Sequence, residues 1–111
     1  MLGRDLTQAS DLLHKYGHHA QGKVVDEMIA SLEAADPDYK RLASVDMWGG
    51  PGAVWEVCLT PSSMNNEQRA DETTFRKAII RVAAAMDALK IGTERSQFIA
   101  KTLQGWIDKG F

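Results

Sequence analysis

Two carboxylates, Asp46 and Glu56, flank the most unusual stretch of the sequence and have side chains suited to proton transfer. If the turn between them brought both into one cleft, one could donate a proton while the other accepted one. Carboxylates beside helix ends more often interact with the helix dipole or pair with an arginine, and Arg76 and Arg81 are candidates for that pairing. The sequence therefore allows an enzyme that uses Asp46 and Glu56, but it does not require one.

A glycine-rich turn lies between these carboxylates, and its glycines are Gly49, Gly50 and Gly52. The backbone N–H groups of such a turn can bind an anion when a helix follows. Here Pro51 lacks an N–H, Glu56 would repel a phosphate, and no Gly-Lys-Ser/Thr sequence follows. We therefore predict a structural turn whose small residues let Trp48 and Trp55 pack against the backbone.

Two of the three tryptophans of the chain, Trp48 and Trp55, lie in this stretch, with Met47 beside them. Aromatic residues and methionine concentrate in protein cores and in the centres of interfaces, so the sequence leaves core and interface open as alternatives. The interface alternative is the strongest functional signal in the chain. It defines a candidate binding set that consists of Asp46, Met47, Trp48, Gly49, Gly50, Gly52, Trp55 and Glu56.

Histidines and the single cysteine are the remaining candidates for chemistry. His14 and His18 are four residues apart, which places two imidazoles on one face of a helix. A metal site needs about three or four ligands, and His19, Asp26 or Cys58 could complete one only through tertiary contacts. Cys58 lies among apolar neighbours, which is typical of a packed thiol rather than a nucleophile. We therefore expect no metal ion and no cofactor.

Length and composition indicate one folded domain, which we place at residues 1–111. Apolar residues make up 44% of the chain, which excludes a disordered class, and the net charge of −2 argues against a dedicated nucleic-acid binder. No apolar stretch approaches membrane-spanning length, and the first residues do not resemble a signal peptide. Because Cys58 is the only cysteine, no internal disulfide can form, and we expect a cytoplasmic protein.

Apolar periodicity predicts an all-α fold, a bundle-like single domain of five to six helices. The predicted helices include residues 5–16, 19–35, 37–45, 71–89 and 94–107. Gly17 should separate the first two helices, and Asp36 followed by Pro37 should begin the third. A polar loop is expected over 61–69.

The last two helices carry the clearest boundary signals. Gly92 is expected to follow the C-cap of the long helix, and Thr93 should be the N-cap of the last helix. The apolar pattern predicts that this last helix buries Phe98 and Trp106, while Arg76 and Arg81 belong to a solvated face of the long helix.

The sequence of residues 53–59 is compatible with two alternative structures. Their strand-forming side chains favour a β-strand, but no other segment offers a partner strand, so a strand would have to pair across a homodimer. The alternative is a short helix that begins near Gly52 or Ala53 and stops at Pro61. We expect the helix.

The middle and C-terminal part of the chain, from Asp46 to Trp106, resembles a group of small uncharacterised bacterial helical proteins. The resemblance rests on two runs, Gly49-Gly50-Pro51-Gly52-Ala53-Val54-Trp55-Glu56 and Ile91-Gly92-Thr93-Glu94-Arg95-Ser96-Gln97-Phe98-Ile99. In that group the centre reads Gly-Gly-x-Gly-Ser with a following Asp, whereas this chain has Ala53 and Glu56. The resemblance implies an all-helical fold and no established activity.

Taken together, the sequence favours a non-enzymatic protein–protein interaction or accessory module that binds another protein or itself. One alternative is a small-ligand or metal-dependent enzyme that uses Asp46 and Glu56. Another is an immunity-type protein whose acidic N-terminal half binds a basic toxin. Neither nucleic acid nor a membrane is an expected partner.

Overall fold

A computed structural model describes residues 2–34, 39–49, 52–56 and 65–110 of the chain. Its five α-helices are α1 (Leu2–Lys15), α2 (His19–Glu33), α3 (Val45–Trp48), α4 (Asn66–Ala88) and α5 (Glu94–Asp108). Two short 3₁₀ helices, Tyr39–Ala43 and Val54–Glu56, lie between the longer elements. The described residues contain no β-strand, so the prediction of an all-α fold is confirmed.

The α1–α2 hairpin forms one side of the molecule. Gly17 makes the turn with a φ of 83°, a conformation that glycine adopts at no steric cost, which confirms the predicted break. α1 packs against both α2 and α4, and its inner face buries Leu6, Ala9 and Leu13 completely. These side chains belong to one hydrophobic core that also receives α3, α4 and α5.

α4 begins earlier than the sequence predicted. The loop expected over 61–69 is wrong for its last four residues, because α4 starts at Asn66. The cause is a capping box: the Asn65 side chain accepts from Gln68 N at 2.8 Å, and Gln68 Oε1 accepts from Asn65 N at 2.9 Å. This pair of residues three apart was a readable signal that the apolar periodicity did not include.

The other end of α4 also differs from the prediction. Lys90, rather than Gly92, has the left-handed conformation that ends the helix, with a φ of 63°. Thr93 is the N-cap of α5, as predicted, and its side chain accepts from Ser96 N. Within α5, Ile99 and Leu103 are buried, but Phe98 is 62% exposed, so its predicted burial is wrong.

The described residues between α2 and α4 form three short helical elements. The third helix predicted over 37–45 is instead the 3₁₀ helix Tyr39–Ala43 followed by α3, while its capping residues Asp36 and Pro37 lie outside the described residues. Of the range 53–59, the described part contains the 3₁₀ helix Val54–Glu56, and residues 57–59 lie outside. Within the described ranges, no helix is both long and apolar enough to cross a bilayer.

Candidate functional site

Trp48 is part of the hydrophobic core. Its side chain is 2% exposed, and its indole N–H donates to the carbonyl oxygen of Leu42. Met47 beside it is fully buried. The alternative between core and interface is therefore answered for these two residues, which stabilise the turn from inside.

Trp55 lies at the surface of the same turn and is only partly buried. Its indole N–H donates to Gly49 O at 2.7 Å, which fixes the ring relative to the turn. The ring stacks on that of Trp106 in α5, with 6.4 Å between ring centroids and 27° between planes. Offset stacking of this kind adds about 0.5–1.5 kcal/mol beyond area burial. The pair joins the central turn to α5.

Arg95, in the first turn of α5, clamps the glycine-rich turn. Its Nε donates to Trp48 O at 2.8 Å, and its Nη2 donates to Gly49 O at 3.1 Å. The guanidinium carbon also lies 5.7 Å from the Trp55 ring centroid, within the range of a cation–π contact. A pocket of about 290 Å³ opens beside Arg95, between Ala43, Ser44, Trp48, Gly49 and Thr93.

A second arginine, Arg76, contacts the other ring of the tryptophan pair. The Arg76 guanidinium carbon is 5.2 Å from the Trp106 ring centroid, and its Nη2 is 3.8 Å from Oε1 of Glu72. The Glu72 side chain is only 2% exposed and that of Arg76 only 11%, so the prediction that Arg76 belongs to a solvated face is wrong. Each ring of the tryptophan pair thus lies close to one arginine.

The described residues leave the predicted carboxylate pair untested. Asp46 is exposed, and the Glu56 side chain lies outside what the structure describes. Arg81, a predicted partner of this pair, binds other residues: its Nε donates to Asp5 at 2.8 Å and its Nη2 to Gln8 at 3.0 Å. Among the turn glycines, Gly52 has a φ of 88°, whereas Gly50 lies outside the described residues.

The described histidine neighbour of His14 is His19, whereas the sequence spacing had predicted His18. His14 contacts His19, with 2.8 Å between their Nδ1 atoms, and its Nε2 is 3.0 Å from Asp26 Oδ2. Ser10 donates to the other oxygen of that carboxylate, and this bond, followed by the contact with His14, holds the pKa of Asp26 below its ordinary value. Among the described side chains, no group of three or more potential ligands could hold a metal ion.

A polar cluster joins the end of α1 to the start of α4. Asp71 accepts from Lys15 Nζ at 2.8 Å and from Tyr16 Oη at 2.6 Å. These two bonds hold the pKa of the Asp71 carboxyl below its ordinary value, and the Asp71 contact raises the pKa of Tyr16. A groove of about 580 Å³ runs beside this cluster along polar residues of α1.

The sequence identified Trp55 but missed its main partners, Arg95 and Trp106. Both are distant in sequence, and no local pattern connects them with the turn. The available signal was that one charged and two aromatic residues, Arg95, Phe98 and Trp106, share a side of the last helix next to a narrow apolar stripe. No protein-family model, curated protein or solved structure matches the chain.

Proposed function

We propose that the chain is a non-enzymatic protein–protein interaction module. Its contact surface consists of Trp55, Arg95, Phe98 and Trp106, and we call this set the aromatic surface. The observation that carries the proposal is the stacked pair of Trp55 and Trp106, partly open to solvent and flanked by Arg95. Tryptophan and arginine are the residue types most enriched among those that dominate binding energy in interfaces.

The exposure of Phe98 is a second argument for placing the contact surface on this side of the molecule. At 62% exposure it is the most exposed large apolar side chain among the described residues. It follows Arg95 by three positions in α5, so the two side chains are neighbours on the helix surface. An exposed phenylalanine beside an arginine that contacts Trp55 gives an interface both apolar area and directional hydrogen bonds.

The proposal keeps only part of the set predicted from sequence. Trp55 and Gly49 belong to the surface or support it directly, because the Gly49 carbonyl accepts from both Trp55 and Arg95. Met47 and Trp48 support it from the core. The partner is another protein or a second copy of the chain, and the same surface would serve either.

The test is site-specific photocrosslinking in cells that express the chain naturally. A photoreactive phenylalanine analogue at Phe98 should yield a discrete crosslinked species. The same analogue at Gln104, which is exposed about 120° around the α5 axis from Phe98, should yield none. Light scattering of the purified chain over a concentration series then shows whether the partner is a second copy. The proposal fails if position 98 gives no adduct, or if positions 98 and 104 give the same adducts.

A further inference from the structure

The pocket beside Arg95 has a size and a lining that suit one residue rather than a helix. Its volume is about 290 Å³, at the lower end of the range of roughly 300–1,000 Å³ found for small-ligand sites. Its lining is mainly apolar, and Arg95 adds a charged group; the lining residues are Ala43, Ser44, Trp48, Gly49, Thr93 and Arg95. An occupant must therefore be short and must combine an apolar group with a polar one.

Arg95 determines what that polar group should be. Its guanidinium is held by two neutral carbonyl oxygens, so two of its five N–H donors are used and its orientation is fixed. In the described part of the chain, no carboxylate lies within 4.0 Å of it. A guanidinium that is already oriented and that no described carboxylate neutralises is suited to bind a carboxylate through its remaining donors.

The apolar group and the carboxylate of the occupant must lie close together, and this distinguishes between possible sources of the carboxylate. Successive side chains of an extended peptide point to opposite faces, and side chains on one face are about 6–7 Å apart. An acidic side chain and an apolar neighbour would therefore not both fit into a pocket that Arg95 itself lines. The last residue of a chain carries its carboxylate and its side chain on the same Cα.

We infer that the pocket binds the C-terminal residue of a partner protein. The terminal carboxylate accepts from Arg95, and an apolar terminal side chain lies against Ala43 and Trp48. This inference rests on the proposed function and deepens it, because the rest of the partner then lies across the adjoining aromatic surface. Capture of a C-terminal carboxylate is one of the recurring modes of peptide recognition.

The experiment compares two pentapeptides of the sequence Ac-Gly-Ser-Gly-Ser-Leu, one with a free C-terminal acid and one with a C-terminal amide. Binding is followed by calorimetry with the complete chain. We expect the acid to bind and the amide to bind at least tenfold more weakly, because amidation removes the charge that Arg95 recognises. Peptides of the same length that end in Lys or Asp should also bind at least tenfold more weakly than the acid ending in Leu.

Two variants assign the binding to this pocket. Arg95→Gln removes the charge and keeps an N–H donor near the turn carbonyls, and it should abolish the preference for the acid. Ala43→Leu fills the pocket without changing Arg95, and it should weaken the acid at least tenfold. Circular dichroism confirms that each variant is folded, and the comparison of acid with amide needs no variant at all.

Three results would overturn the inference. Equal binding of acid and amide would remove the role of the carboxylate, while crosslinking at Phe98 would still stand as a separate test of the proposed function. Binding of N-acetyl-leucine at least tenfold tighter than that of the pentapeptide would identify a small-carboxylate site that does not admit a peptide chain. Absence of binding by every probe would show that the pocket has no such ligand.

Discussion

Lys90 ends α4 in a backbone conformation that is costly for any residue with a Cβ atom. With a φ of 63°, it places its own N–H on Asp87 O at 3.0 Å and the N–H of Ile91 on Met86 O at 2.9 Å. These two bonds satisfy carbonyl groups that the end of a helix leaves without partners. In α5 the same position is occupied by Gly110, with a φ of 78°. The conformation is therefore required by the helix end and not by the lysine.

Replacing Lys90 with glycine should stabilise the protein. The left-handed conformation costs a residue with a Cβ about 1–2 kcal/mol, and glycine removes this cost. Part of the resulting gain in stability is offset by the greater freedom of glycine in the unfolded chain. We expect Lys90→Gly to raise the free energy of unfolding by about 0.5–1 kcal/mol, measured by urea denaturation. Lys101→Gly, at an exposed position inside α5, is the matched control and should lower it by about 1 kcal/mol. A destabilised Lys90→Gly variant would contradict this account.

The contact between helices α1 and α4 depends on charge as well as on apolar packing. Asp71, near the start of α4, accepts from Lys15 and from Tyr16 at the end of the hairpin's first helix. Arg81 and Asp5 make another ion pair, and Arg81 lies nearly three turns beyond Asp71 along α4. The two helices are therefore connected near both ends of their contact.

The Asp71 contact should make stability depend on pH in the acid range. The pKa of the Asp71 carboxyl is lower in the folded than in the unfolded chain, so its contribution is present above the unfolded value of about 3.8. It is lost as the pH falls through the lower, folded value. We expect Asp71→Asn to be less stable than the unmodified chain at about pH 6, and the difference to shrink steadily towards about pH 2.

The matching variant is Tyr16→Phe, which removes one of the two donors to Asp71. Its stability difference from the unmodified chain should follow the same pH dependence with a smaller amplitude, as measured by urea midpoints over the same series. A difference for Asp71→Asn that stays constant from about pH 6 to about pH 2 would show that this carboxylate does not stabilise the fold through its charge.

Elements that depend on local signals were predictable from the sequence. The Gly17 break and the Thr93 cap are each set by residues within one helical turn, and apolar residues recur along α4 from Phe75 onwards and along α5. The stretch from Tyr39 to Glu56 has no such periodicity. Its 3₁₀ turns and α3 are defined by the burial of Leu42, Met47, Trp48 and Val54 in a core built by distant helices.

Trp48 and Trp55 have opposite roles in the molecule although they are only seven residues apart in sequence. Trp48 is in the core with its indole N–H bonded, whereas Trp55 is at the surface and contacts α5. The sequence located the candidate site because two tryptophans and a glycine-rich turn stand out locally. It could not assign their roles, because Arg95 and Trp106 reach the turn only through the packing of α5.

Alanine variants should separate these roles. Trp48→Ala should lower the free energy of unfolding by about 3–5 kcal/mol, since it empties a buried site and leaves the Leu42 carbonyl without its donor. Trp55→Ala should cost clearly less and should leave the chain folded. Urea denaturation of both variants is the measurement, with Trp106→Ala as a second surface variant. Equal losses for Trp48→Ala and Trp55→Ala would place both side chains in the core.

The stacking of Trp55 on Trp106 also gives the molecule an optical signature. Two indole rings 6.4 Å apart and inclined by 27° couple their electronic transitions, so their far-ultraviolet circular dichroism should include a paired band of opposite signs. Trp48 is not part of this pair. Anything that separates α5 from the 3₁₀ helix Val54–Glu56, or inserts between the two rings, should remove that band while the helical signal persists. The unlabelled chain therefore reports directly on the occupancy of its own aromatic surface.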